Sequence, residues 1–170
     1  MTLELSRSVL RPWAPSDRDA LASHANNPRV AANLRDAFPS PYTREDAERF
    51  LARVSEQTPR TFLAIEVDGE TTGGIGLKLH SDVERISAEL GYWLGEPHWG
   101  RGVMTEAVRA FTDWSFATFP LTRIFAVPYE TSLASVRVLE KAGFVYEGRL
   151  RKSAIKLGQV LDQLVYADVR

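Results

Sequence analysis

The chain has 170 residues with a formal net charge of −1; 44% are apolar and 25% charged, enough for one domain with a sizeable core and no overall field to draw nucleic acid. It has no cysteine, which excludes disulfides, zinc–thiolate centres and a cysteine nucleophile. No apolar run is long enough to span a bilayer and the opening MTLELSRSVLRPW lacks a signal-peptide core, so we expect a cytoplasmic protein with neither a membrane nor a nucleic-acid partner.

Ser6–Trp13 alternates weakly and reads as an opening strand. Ser16–His24 begins with S-x-x-D after Pro15, a helix start. Asn27-Pro28 supplies a cap and a first-turn proline for a short helix to about Arg35. Two prolines keep Asn33–Thr43 out of regular structure. In that loop Phe38 and Tyr42 are costly to leave in water. They read either as anchors pinning the loop or as a wall of a binding pocket. Thr43-Arg-Glu-Asp46 is a second capping pattern, followed by helical spacing of Ala47, Phe50, Leu51 and Val54 in a helix over Arg44–Gln57. Thr61–Val67 and Thr72–His80 read as strands joined at Asp68-Gly69, a hairpin turn pair.

After a polar turn at Asp82–Arg85 comes the most informative stretch. Ala88–Leu94 is an apolar, aromatic strand, Gly95–Gly102 a glycine-rich turn and Val103–Ala117 an amphipathic helix. Val103, Ala107, Ala110, Trp114 and Ala117 make an apolar stripe, with Glu106, Arg109 and Asp113 opposite. The first N–H groups of a helix lack internal partners and carry the positive end of its dipole. Glycines there let a backbone approach a phosphate closely, and Arg101 adds a cation. The turn fits neither nucleotide motif. GEPHWGRG has Arg101 and Gly102 where a P-loop needs Lys and Ser/Thr, and a dinucleotide fingerprint starting at Gly100 fails at Thr105. Pro120 breaks the chain, Arg123–Pro128 is a short strand, and Thr131 or Ser132 caps a helix whose inner face is Leu133, Val136, Leu139 and Ala142. Gly143 stops it. Phe144–Leu150 and Gln159–Val169 are closing strands. The order β, α, α, α, β, β, β, α, β, α, β, β describes a mixed α/β sheet protein.

ELGYWL, WGRGVMTEA and SVRVLEKAGF together resemble the GCN5-related N-acetyltransferases (GNAT), and within them the RimJ/RimL-like branch. The resemblance is strongest over Glu89–Glu147. It implies the GNAT acyl-CoA N-acyltransferase fold in a single domain over residues 1–170, with a mostly antiparallel mixed sheet and helices on both faces. It implies acetyl-CoA as acyl donor, no metal, and an amine acceptor that is a small molecule or a protein N-terminus. The branch also suggests a homodimer.

Residue by residue, the resemblance implies a pyrophosphate cradle at Trp99, Gly100, Arg101, Gly102, Val103, Met104 and Thr105. Met104 replaces a small residue and crowds that cradle. The pantetheine arm lies along Glu89–Leu94, in a gap where that strand splays from a parallel partner, Arg123–Pro128. The backbone at Tyr92, Trp93 and Leu94 holds the arm and polarises the thioester carbonyl. Glu89 is either a base, acting through water, or a charge with a basic partner. Ser135 is either the acid for the departing thiolate or a helix hydroxyl bonded to backbone. Tyr129 is the second candidate acid. Ser132 stands where relatives carry an asparagine that touches pantetheine. On the acceptor side the resemblance implies Arg35, Phe38 and Tyr42. Asp162 interrupts a closing strand, as an aspartate does in the branch, and reads equally as an acceptor contact or a salt bridge. His24, His80 and His98 show no ligand spacing, and no G-x-S-x-G elbow is present, so direct attack in a ternary complex is expected. The alternatives are a non-catalytic acyl-CoA binding module and a bulkier donor such as succinyl-CoA.

Overall fold

Capping chemistry and periodicity account for most elements of the computed structural model, which describes residues 1–170. The strands are β1 (Leu3–Glu4), β2 (Val9–Arg11), β3 (Phe62–Val67), β4 (Glu70–Leu79), β5 (Ser87–Leu94), β6 (Arg123–Ala126), β7 (Val145–Lys156) and β8 (Gln159–Val169). The helices are α1 (Arg18–Ala25), α2 (Pro28–Ala31), α3 (Arg44–Glu56), α4 (Val103–Thr118) and α5 (Leu133–Ala142). The strands hydrogen-bond in the order β1-β2-β3-β4-β5-β6-β8-β7. β5 and β6 run parallel, whereas β1–β2, β2–β3, β3–β4, β6–β8 and β7–β8 are antiparallel, the mostly antiparallel mixed sheet that was expected. No helix is long and apolar enough to cross a membrane.

By internal packing the chain divides into two units. The first comprises Met1–Gly76 and Tyr92–Val103, the second Leu77–Gly91 and Met104–Arg170. In the first, α1 and α3 bury Leu21, Ala22, Ala25, Ala47 and Leu51 with Tyr42, and Trp13, Phe38, Phe50 and Trp93 close over them. Gly74 is a close-approach position, because a Cβ there would stand 2.9 Å from Trp13 and 3.0 Å from Trp93. The same unit holds a charged knot. Arg11 grips Asp17 through both carboxylate oxygens at 2.8 and 2.9 Å and Glu66 at 2.5 Å, while the Thr71 hydroxyl donates to Asp17 at 2.7 Å. Burial alone would raise the Asp17 pKa, but donors from Arg11, the Ala14 N–H and Thr71 hold it below the usual carboxylate value. In the second unit Val108, Phe111, Ile124 and Leu139 are fully buried.

Several local expectations hold. Thr43 and Asp46 form a reciprocal capping box, Asn27 caps α2 through the Arg29 N–H, and Asp68-Gly69 turns with both φ angles positive. Others are corrected. The opening strand is two short pieces, β1 and β2, paired with each other. Asp17, not Ser16, caps the first helical turn, accepting from Ala14 N–H at 2.7 Å. α2 ends at Ala31, four residues before Arg35, because the chain turns at Asn33 and Leu34 through bonds to Val30 and Ala31 carbonyls. The buried rows of α4 contain Val103, Met104, Ala107, Val108, Phe111, Thr112 and Ser115, while Ala117 is exposed. Large apolar side chains outweigh alanines in choosing the buried face. Ser115 lies there because its hydroxyl donates to the Phe111 carbonyl at 2.6 Å. Leu133, expected on the inner face of α5, is exposed, and Ser132 makes no capping bond. β6 stops at Ala126, not Pro128, although its pairing with β8 resumes in register at a Tyr129–Gln163 bridge. β7 runs to Lys156 rather than Leu150, passing an irregularity between Leu150 and Ala154 where Lys152 has φ 52°.

Candidate functional site

The glycine turn belongs to the first unit and is held from several sides. Gly95 N–H donates to the Thr72 carbonyl at 2.7 Å, fixing the end of β5. A single 3-10 turn, Glu96–His98, follows. The Glu96 carboxylate accepts from Arg29 at 2.5 Å and from Asn27 at 2.9 Å, so the start of α2 anchors this turn. The Trp99 indole N–H donates to the Leu94 carbonyl at 2.7 Å, folding the turn back on the strand, and the Arg29 guanidinium lies 5.7 Å from the Trp99 ring. Gly100 and Gly102 then take φ values of +73° and +77°, which side chains rarely adopt. Gly100, Arg101 and Gly102 are exposed, immediately before the first turn of α4. Solvent-facing backbone is thus joined to a helix start whose first N–H groups have no intrahelical partner. Arg7 comes close as well, its Nε 3.5 Å from where a Gly102 Cβ would be.

His98 is half-buried, its ring 5.7 Å from that of His24, with Nδ1 buried and unpartnered. His24 Nε2 pairs with Glu70 at 2.9 Å. Burial first, then His24 and Arg101, hold the His98 pKa below its ordinary value.

Phe38 and Tyr42 meet at 5.0 Å between ring centroids, and Phe38 meets Trp93 of β5 at 5.5 Å. Tyr42 is 6% exposed, and burial raises its hydroxyl pKa to about 12. The loop is therefore anchored by its aromatics, which bring it against the strand. Arg35 is exposed, and its carbonyl accepts from Phe38 N–H.

In the second unit the parallel ladder pairs Ser87–Glu89 with Arg123–Phe125 and goes no further, although β6 continues to Ala126 and β5 beyond Gly91. Glu89 sits half-buried at the last pair, opposite Phe125. Tyr129 and Ser132 are buried and Ser135 is half-buried. Met104 is buried in the first turn of α4. Thr105 follows it in the first turn of α4, half-buried. Asp162 spends its carboxylate within the unit. One oxygen accepts from Arg149 and the other from Lys152 N–H, both at 2.8 Å. That Lys152 bond first, then Arg149, lowers its pKa. No group of three or more His, Asp or Glu is arranged to hold a metal.

A family profile described as an acetyltransferase (GNAT) domain matches residues 7–145. The chain belongs to the GNAT acetyltransferase family. Among its relatives are the uncharacterized N-acetyltransferase YoaA of Bacillus subtilis, 35% identical over 99% of this chain and 96% of YoaA, and the uncharacterized N-acetyltransferase p20 of Bacillus licheniformis, 28% identical over 98% and 94%. The fold is that of RimL, a ribosomal L7/L12 alpha-N-protein acetyltransferase solved in complex with coenzyme A. The two superpose with a TM-score of 0.88 at 19% identity, covering 99% of this chain and 98% of RimL. The GNAT match runs through both units, from before β2 to the start of β7.

Proposed function

We propose that this GNAT chain transfers the acetyl group of acetyl-CoA to a primary amine by direct attack in a ternary complex, its 170 residues serving as one catalytic domain. The observation that carries the reading is the exposed Gly100–Gly102 turn, with two left-handed glycines directly before α4. Such a turn suits a pyrophosphate, because its backbone donors are accessible and the helix dipole favours anions. Trp99, Gly100, Arg101, Gly102, Val103, Met104 and Thr105 take the pyrophosphate through their N–H groups, with the Thr105 hydroxyl in support. The backbone at Tyr92, Trp93 and Leu94 takes the pantetheine and polarises the thioester carbonyl, where a preformed donor stabilises the tetrahedral oxyanion.

The attacking amine must be neutral, so a base must receive its proton. Glu89 is our candidate, acting through water. Ser135 is the first candidate to protonate the departing thiolate and Tyr129 the second. Ser132 lies beside the coenzyme. Arg35, Phe38 and Tyr42 are our acceptor-side candidates, and Asp162 is a separate one. Holding both substrates in attack geometry is itself worth roughly 7–11 kcal/mol of barrier. A homodimer, carried from the same branch, is tested by light scattering.

The reading is tested by titrating acetyl-CoA, coenzyme A and ATP into the protein, then following thiol release from acetyl-CoA with a panel of peptide N-termini, polyamines and amino acids. Binding of both coenzyme A species but not ATP, with thiol release for at least one amine, is the expected result. Binding without release for any amine would favour an acyl-CoA binding module. Faster release from succinyl-CoA would change the donor.

A further inference from the structure

Tyr129 is unusually well tethered. Its segment leaves β6 and rejoins β8, where Leu164 N–H donates to the Pro128 carbonyl at 2.9 Å and Glu130 N–H to the Asp162 carbonyl at 3.0 Å, one bond on each side of the Tyr129–Gln163 bridge. Glu130 returns the second bond, its carboxylate accepting from Asp162 N–H at 3.0 Å. The carboxylates of Glu130 and Asp162 thus converge, and one nitrogen of Arg149, Nη1, joins them at 2.8 Å to each. Asp162 spends its other oxygen on Lys152 N–H, at the irregular point of β7. Arg149 is the cation that meets both acids, and its charge offsets the repulsion of Glu130 and Asp162 across the bond pair that carries Tyr129. Arg151 also favours the charged form of Asp162, and Lys152 contributes its backbone amide there.

We propose that Arg149 is a positioning residue, clamping Glu130 to Asp162 so that Pro128–Glu130 stays on β8 and the Tyr129 hydroxyl is held for proton transfer. The proposal rests on the acetyl-transfer reading above, with Tyr129, the second of its two candidate acids, in that role. In that step the C–S bond of the tetrahedral intermediate breaks and its electron pair stays on sulfur. The thiolate takes the phenol proton of Tyr129, giving the free thiol, and the phenolate is reprotonated from water. The proton lost by the amine leaves separately through its base.

Two measurements test it. The first needs no acceptor. Amide hydrogen exchange at Glu130 and Leu164 is expected to quicken in Arg149→Met, to return towards wild type in Arg149→Lys, and to leave core amides such as Phe111 unchanged. The second is thiol release from acetyl-CoA with the best amine of the panel. Arg149→Met is expected to lower kcat about tenfold with the KM for acetyl-CoA unchanged, a loss in the range that misplacement of a reacting group produces. In a Tyr129→Phe background the same substitution is expected to cost nothing more. Unchanged exchange would overturn the clamp. An equal loss of kcat in both backgrounds, or full turnover by Tyr129→Phe, would overturn its action through Tyr129. Failure of the acetyl-transfer reading itself would look different, with no thiol release from the wild-type protein for any amine.

Discussion

Four arginines in this chain, Arg11, Arg18, Arg149 and Arg170, each meet two carboxylates, and the surroundings of Arg11 and Arg149 give those two different work. Arg11 joins Asp17 to Glu66, with side chains only 23%, 6% and 24% exposed. Arg149 joins Glu130 to Asp162, with side chains 43%, 33% and 21% exposed. Around Arg11 the donors are complete. The guanidinium grips Asp17 through both oxygens, and Thr71 and the Ala14 N–H satisfy that carboxylate further. Around Arg149 a single nitrogen serves both acids in partial contact with water. An ion pair taken out of solvent becomes costly to break, whereas one left in solvent fixes geometry with little effect on stability.

The largest effect expected from this contrast is at Asp17. Asp17→Ala leaves a mostly buried guanidinium with Glu66 as its one carboxylate and should cost about 3 kcal/mol of folding stability in urea unfolding, the low end for breaking a buried pair. Wild-type stability would show that water reaches the knot. The same site sets an acid limit. The folded-state pKa of Asp17 is lowered, so its contribution is present above the unfolded value near ~3.9 and is lost as pH falls through the lower folded value. The gap in melting temperature between wild type and Asp17→Ala should therefore be constant above about pH 5 and shrink below about pH 4.

Next in size is Glu66→Gln, which keeps an acceptor beside Arg11 and should cost about 1 kcal/mol, measured in the same unfolding assay. Smallest in global terms is Arg149→Met. Its melting midpoint should be indistinguishable from wild type while exchange at Glu130 and Leu164 quickens. A large drop in midpoint would mean that the exposed clamp stabilises the fold as the buried knot does, and the contrast would fail.

The same contrast separates what can be read along the chain from what cannot. Thr43 with Asp46, Asn27 with Arg29, and Asp68 with Gly69 act within three residues, and their spacing shows in the sequence. The strand, turn and helix over 87–118 are equally legible, since an aromatic run, a glycine pair and a helical period follow one another. The Arg11 knot reaches residues 54 to 60 positions away, and Glu96 meets Asn27 and Arg29 across almost 70, so neither leaves any period. Local pattern also misleads where size matters. Alanines at 110 and 117 complete a regular stripe on α4, but Phe111 and Val108 bury more surface and turn the helix their way. In β7 the run Arg-Leu-Arg-Lys-Ser shows no alternation, because the strand bends there and Asp162, ten residues on, takes the free amide of Lys152. Of the candidate site, the turn at Gly100–Gly102 is visible as glycine next to a helix start. That Trp99 and Glu96 brace it is visible only in three dimensions.

The most direct measurement is calorimetric titration of acetyl-CoA into the wild-type chain and into Gly102→Pro. Proline has φ near −65° and no N–H, so it can satisfy neither the +77° conformation of Gly102 nor a phosphate oxygen. The account predicts binding to the wild type and a loss of at least about a hundredfold in Gly102→Pro, with its urea midpoint showing a folded protein, since a lost charge-assisted donor and a distorted helix start act together. Equal affinity in the two folded proteins would contradict the assignment of the glycine turn to the coenzyme.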